Sequence, residues 1–281
     1  MSEALRIAHG VFGRVALLDM DRSLVRHAHP HCHVLLTVAG DDTQFQVGGR
    51  VAPLTDELAV LVNAWETHAY IHDPRRKTAM ILALYIEPEW LRSFRSNWAA
   101  SGAPGFFERS AGTVTPLIRQ LALDLAAEMV GEASSGHHQE ELLSCLMIAV
   151  LERFTPWQSV GTGLRELAYA NAIDHRVRRA IGVMRANPAA QHPIDRLASE
   201  AGLSRAHFFR LFEASTGVTP HVFLNVLKVE SAVEAIVGSD ESFTSISDRL
   251  GFSAPAHFTR FFRDNCSVAP SEFRNVVRLG S

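Results

Sequence analysis

The chain has 281 residues, 47% hydrophobic and 20% charged, with a formal net charge of −3. That is room for two domains with sizeable cores, and no run of 18 apolar residues is present to span a bilayer. The three cysteines are far apart and odd in number, and the start MSEALRIAHG lacks the basic and apolar blocks of a secretory signal; a reduced, cytoplasmic protein is expected rather than a disulfide-framed one.

From Val11 to Ile86 short apolar runs alternate with turn residues. The expected strands are Arg14–Met20, Leu24–His29, His33–Ala39, Thr43–Val47, Leu58–Val62, His68–His72 and Thr78–Ile86, separated by signals such as Gly40-Asp41-Asp42, Gly48-Gly49 and Asp73-Pro74. Seven strands so spaced predict a small antiparallel barrel or jelly roll.

Histidines are concentrated in this region. His27, His29, His31 and His33 fall at every second position, with His68 and His72 further on. Alternate strand residues share a face about 6.6 Å apart, so His31 and His33 can meet His68 around one zinc or iron ion. Pro30 interrupts the ladder between the two pairs. A metal-free pocket for a small effector, lined by His29, His31, His33, His68, Trp65 and Tyr70, is the preferred reading; no cofactor is expected. Trp65 suits plain core packing at least as well.

Trp90, Phe94 and Trp98 have the spacing of one helix face and should pack on the strands. Thr115 and Pro116 open a helix with Ile118, Leu121, Ala122, Leu125 and Met129 on one stripe. A second helix runs from Gln139 to Phe154 with Leu142, Leu146 and Ala149 together. The pair serves either to cover the strands or to dimerise. Pro156, Gly161 and Gly163 then mark a linker. The expected divisions are 1–112 for the sensing unit, 113–157 for the helical hairpin, 158–172 for the linker and 173–281 for an all-helical domain.

That last domain contains a stretch that occurs twice. Leu197–Pro220 reads LASEAGLSRAHFFRLFEASTGVTP and Ile246–Pro270 reads ISDRLGFSAPAHFTRFFRDNCSVAP. The offset is 49 at Gly202 and Gly251, then 50 at His207 and His257, Arg210 and Arg260, Phe212 and Phe262, Pro220 and Pro270. In each copy a short amphipathic helix meets a Gly suited to positive φ, a Ser suited to capping, and a second helix. Two short helices about a glycine corner describe a helix-turn-helix. A single copy would more often be a helical hairpin packing a core; two matched copies argue for two readers. Between them Thr219 and Pro220 start, and Gly238 stops, a connector with Val222, Val226, Val229, Val233 and Ile236 on one stripe. Its ~19 residues span about 28 Å, comparable with the ~34 Å between major-groove segments on one DNA face.

The residues Gly202-Leu203-Ser204, His207 to Phe212 and Gly217 to Pro220, with Gly251-Phe252-Ser253, His257 to Phe262, Pro270 and Phe273-Arg274, resemble the DNA-binding domain of AraC/XylS-family transcription regulators. The resemblance covers roughly 173–279 and implies an α+β multidomain protein, with a cupin-like antiparallel β-barrel and helical hairpin ahead of a tandem helix-turn-helix domain. It further implies DNA contact from Ser204, Arg205, Ala206, Phe209 and Arg210 in one helix and Ala254, Pro255, Ala256, Thr259 and Arg260 in the other. Guanidinium groups pair with guanine edges or phosphate, which singles out Arg210 and Arg260 against the alternative of salt bridges within the domain. Phe209 stands where the family usually has a small polar residue, Lys228 where it often has Arg, and Ser267 where it often has Gly. With few polar groups on either helix, thymine methyls and DNA shape should carry much of the specificity.

Charge permits this without proving it: Lys+Arg against Asp+Glu is 14 to 19 up to Ala172 and 13 to 11 beyond, giving −5 and +2. The function expected is a ligand-responsive, sequence-specific activator, not an enzyme. Its partners would be double-stranded DNA, a small-molecule effector, a second copy of the chain, and RNA polymerase. The rival, on the histidine run, is a cupin-type metal-dependent oxygenase or isomerase; no acidic residue lies within His27–His33 to complete a His/carboxylate set.

Overall fold

The structure is a computed structural model that describes residues 3–94, 101–102, 105–131, 136–155, 174–189, 193–266 and 268–278. The linker expected over 158–172 lies outside the described residues, as does Trp98.

The N-terminal strands are β1 (Glu3–Gly10), β2 (Gly13–Met20), β3 (Cys32–Gly40), β4 (Thr43–Val47), β5 (Arg50–Leu54), β6 (Leu58–Val62), β7 (His68–Ile71), β8 (Ala79–Ile86) and β9 (Ala111–Thr113). They form two antiparallel sheets, ordered β1-β2-β8-β3-β6-β9 and β5-β4-β7. Of the barrel or jelly roll expected, the strands take the form of two facing antiparallel sheets that do not close into one. Edge strand β5 carries Pro53, which has no N–H with which to extend a ladder.

β2 and β8 are buried on both faces, which explains their nearly unbroken apolar sequences. Ala16, Leu18 and Met20 pack between the sheets with Leu35, Phe45, Leu54 and Ile81. Val15 and Leu17 point the other way, into a second core with Leu82, Leu84 and two helices, α2 (Pro116–Val130) and α3 (Gly136–Phe154). The preceding helix α1 (Pro88–Phe94) sends Leu91 into that same core, with Trp90 at its margin. Thr115 caps α2 by accepting from the Ile118 N–H. Its buried stripe Ile118, Ala122, Leu125 and Met129 lies on the six-stranded sheet with Leu143, Leu146, Met147 and Val150 of α3. Covering the sheet is therefore what this helix pair does within the chain.

The C-terminal helices are α4 (His175–Ala186), α5 (Ile194–Glu200), α6 (Arg205–Thr216), α7 (Pro220–Gly238), α8 (Phe243–Arg249), α9 (Pro255–Cys266) and α10 (Pro270–Arg278). The repeat seen in sequence is a repeat in space. Phe208 and Phe212 lie 5.6 Å apart between ring centroids, Phe258 and Phe262 5.9 Å. Phe212 meets Phe223 edge-on at 5.4 Å, and Phe262 meets Phe273 in the same way at 5.4 Å. The turns match as well: the N–H groups of Gly202 and Gly251 donate to Ser199 and Asp248 carbonyls at 2.9 and 3.0 Å.

Gly202 and Gly251 have φ of 68° and 74°, where a Cβ is penalised by about 1–2 kcal/mol. Their surroundings differ. A Cβ on Gly251 would meet the Ala189 backbone oxygen at 2.6 Å, whereas nothing lies within 4 Å at Gly202. Gly202→Ala should cost about 1–2 kcal/mol and Gly251→Ala clearly more, since backbone must move. Parallel urea titrations of the two variants check this, and equal losses would contradict it.

Candidate nucleic-acid interface and the histidine cluster behind it

Each reading helix turns an aromatic face inward and a sparse polar face outward. In α6, Phe208 and Phe212 are fully buried, while Arg205, Ala206, His207 and Arg210 are exposed. Ser204 caps the helix, accepting from the His207 N–H at 3.4 Å. Phe209 is half-buried, its ring 5.5 Å from that of His221 and beneath the Arg205 guanidinium at 5.4 Å. Arg205 also pairs with Asp195 at 2.7 Å, which draws that guanidinium toward α5. In α9, Pro255, Ala256, His257 and Arg260 are exposed and Ala254 and Thr259 half-buried.

Arg210 and Arg260 are exposed, and among the described residues neither forms an ion pair. They occupy equivalent sites in the two copies, each a free guanidinium able to meet a base edge or a phosphate. His207 and His257 share this surface without having been singled out from sequence. The signal was present: the pair recurs at the same offset as the arginines.

The two readers are tied together by α7. Its Phe223, Leu224 and Val226 belong to the core of the first motif, and its Val229, Ala232, Val233 and Ile236 to that of the second. Val222 is half-buried.

Behind this surface the sheets present a histidine cluster. His27 and His68 exchange backbone hydrogen bonds at 2.9 and 2.8 Å, which sets their rings 4.4 Å apart. His29 lies 4.7 Å from His68 and 5.0 Å from His27 between centroids, and His33 lies 5.2 Å from His29. All four are buried. Burial lowers the pKa of His27 and takes those of His29, His33 and His68 well below the usual imidazole range, with neighbouring histidines adding to it. The rings are therefore neutral near pH 7.

The trio expected from sequence is not the trio assembled. His27, His29 and His68 bring one ligand atom each within 4.8 Å of one another. His31 instead pairs with Glu87 at 3.1 Å, because residues 30 and 31 form a bend at Pro30 that turns this one histidine outward. Tyr70 is buried against Phe45, 5.2 Å away between rings, in the core between the sheets.

Trp65 leaves the sheet altogether. Its ring stacks on Phe223 of α7 at 4.5 Å and 8°, while its backbone N–H donates to the His29 carbonyl at 2.7 Å. Ala28, between two of the clustered histidines, is packed into the first motif's core. On the far side, Tyr85 stacks on His33 at 4.1 Å, and the buried Arg14 guanidinium lies 3.9 Å over Tyr85 and 5.7 Å from Phe273. Phe223 and Phe273 are the same position in the two copies. The N-terminal unit thus touches both motifs at matching points.

Residues 197–275 match the family described as a helix-turn-helix domain, and residues 12–151 match the AraC-like ligand binding domain. An uncharacterized HTH-type transcriptional regulator of Haemophilus influenzae is 27% identical over 143 residues, 50% of this chain and 46% of that protein; the chain spans about half the length of this curated relative. Among solved structures, an apo form of ToxT from Vibrio cholerae is 12% identical with a TM-score of 0.55, covering 97% of this chain and 100% of that one. ToxT with an unsaturated fatty acid bound gives 11% and 0.52 over 93% and 94%. Similarity at this level shows a shared fold.

Proposed function

The chain belongs to the AraC family of transcription regulators, and from that premise we propose a ligand-responsive activator that binds double-stranded DNA through two successive major-groove segments. The observation that supports it best is the pair of solvent-facing α6 and α9 surfaces, each with an exposed and uncommitted arginine, on either side of one rigid connector. Ser204, Arg205, Ala206, Phe209 and Arg210 form one contact set, and Ala254, Pro255, Ala256, Thr259 and Arg260 the other. An effector acts at the cluster of His27, His29, His33 and His68, from which Trp65 leads to the reader, and shifts which DNA arrangement is bound. The chain works in the cytoplasm as a homodimer; Leu117 and Val130, 61% and 48% exposed on α2, offer apolar area for a second copy. As an activator it would also contact RNA polymerase.

Titration against promoter fragments flanking the protein's own gene tests this. Specific binding whose affinity falls steeply with salt is expected. Absent or salt-independent binding would remove the proposal.

A further inference from the structure

We propose that the effector site is a transition-metal site: His27, His29 and His68 take one divalent ion of the zinc class, and its binding is relayed to both helix-turn-helix motifs. This rests on the regulator reading above and names the chemical class of its effector.

The ligand set is unusually well prepared. His68 Nδ1 lies 3.1 Å from the Glu66 carbonyl oxygen, and His27 Nδ1 2.7 Å from that of Val25. A carbonyl only accepts, so each Nδ1 carries the proton and each Nε2 presents its lone pair. That outer contact orients metal-bound imidazoles generally. The Nε2 atoms of His29 and His68 and both ring nitrogens of His33 are buried with no hydrogen-bond partner among the described residues. Four neutral imidazoles sealed away from solvent with unpartnered nitrogens are hard to account for as packing, because buried polar atoms are nearly always paired. An ion on His27, His29 and His68 supplies the missing partner of the His29 and His68 nitrogens. Pure imidazole donors select zinc, copper, nickel or iron over calcium and magnesium. His33, beside His29 and His68, stands ready as a fourth donor.

The spacing supplies the signal. The three ligand atoms lie within 4.8 Å of one another, against about 3.4 Å across a tetrahedral zinc site with ~2.05 Å bonds. Loading the ion therefore draws the His27–His29 segment and the strand start at His68 inward. Both are bound to the reader. Ala28 moves with its flanking histidines and sits in the first motif's core. Trp65 is held to His29 by its backbone N–H and to Phe223 by its ring. Among described non-glycine residues only Trp65 has a positive φ, 64°, a conformation bulky side chains rarely adopt. Through His33, Tyr85 and Arg14 the same cluster reaches Phe273. One contraction thus acts on equivalent positions of the two motifs.

The test uses the full chain without a histidine tag, stripped with chelator and reloaded with zinc chloride. Elemental analysis should find one zinc per chain, and cobalt(II) in its place should give the visible absorption of a low-symmetry site. His29→Ala and His68→Asn should each lose the ion while keeping the wild-type far-UV spectrum. Zinc should change affinity for the specific promoter fragment by about 5-fold to 150-fold, and Trp65→Ala should keep the ion yet lose that dependence. A folded wild-type chain that holds no zinc overturns the site. Zinc held at full stoichiometry with DNA affinity unmoved overturns the relay. Zinc held while DNA is bound in neither state leaves the site standing and sinks the regulator reading.

Discussion

Replacing Arg210 and Arg260 together by alanine should weaken binding to a specific promoter fragment by roughly 30-fold to 20,000-fold. Each lost guanidinium–base contact costs about 1–3 kcal/mol, and every 1.4 kcal/mol is about tenfold. Both side chains are exposed and make no ion pair among the described residues, so the fold should be indifferent to their removal and the loss should be purely one of binding. The pattern of the loss is informative in its own right. If an arginine reads a base, discrimination at one position relaxes; if it holds a phosphate, all sequences weaken alike and the salt slope falls by about one. Fluorescence anisotropy at two fixed salt concentrations separates these, and an unchanged affinity would mean that α6 and α9 are not the reading helices.

Phe262→Ala should destabilise the second motif by about 3–5 kcal/mol, the usual cost of emptying a phenylalanine-sized site in a packed core. Phe262 is 0% exposed, its ring tilted against Phe258 and edge-on to Phe273. Its core is continuous with that between the sheets, so the loss should be felt at the contact between α10 and β1 as well. Phe212→Ala, at the equivalent position, should cost a similar amount within a separate core shared with α4, α5 and Ala28. Urea denaturation followed by far-UV ellipticity checks both, and a Phe262→Ala midpoint matching wild type would show that the ring is not a structural anchor.

How far the sequence foretold this molecule depended on whether the signal was local. Thr115, Ser204 and Thr219 act as helix caps because capping needs only neighbours. β4 and β6 begin and end where alternation and turn residues placed them. The paired motifs were legible because the pattern occurs twice. β1, β5 and β9 were missed: β1 precedes the first turn signal, Pro53 disguises β5, which only an edge position tolerates, and β9 has only three residues. The run Leu24–His29 has strand-like composition, yet only a single bridge forms there, at His27. Its partner β7 is short, and Pro30 ends the ladder. The histidine cluster was half visible. Even spacing brought His29 and His33 to one side, but which histidine left the set depended on a bend, and the role of Trp65 depended on a contact 158 positions along the chain with Phe223.

The double rooting of α7 has a consequence for how such a protein can change over generations. Each residue gained or lost in that rod turns everything beyond it by about 100° and shifts it by about 1.5 Å. One reader would then face away from the duplex while the other stayed in its groove, and the aromatic seats at Phe223 and Phe273 would fall out of phase. For the proposed two-groove reader, the length of the rod and the gap between the two DNA segments it spans are therefore locked: neither can drift unless the other moves with it, and sequence change is channelled into the outward side chains, where it would alter what is read and leave the spacing alone.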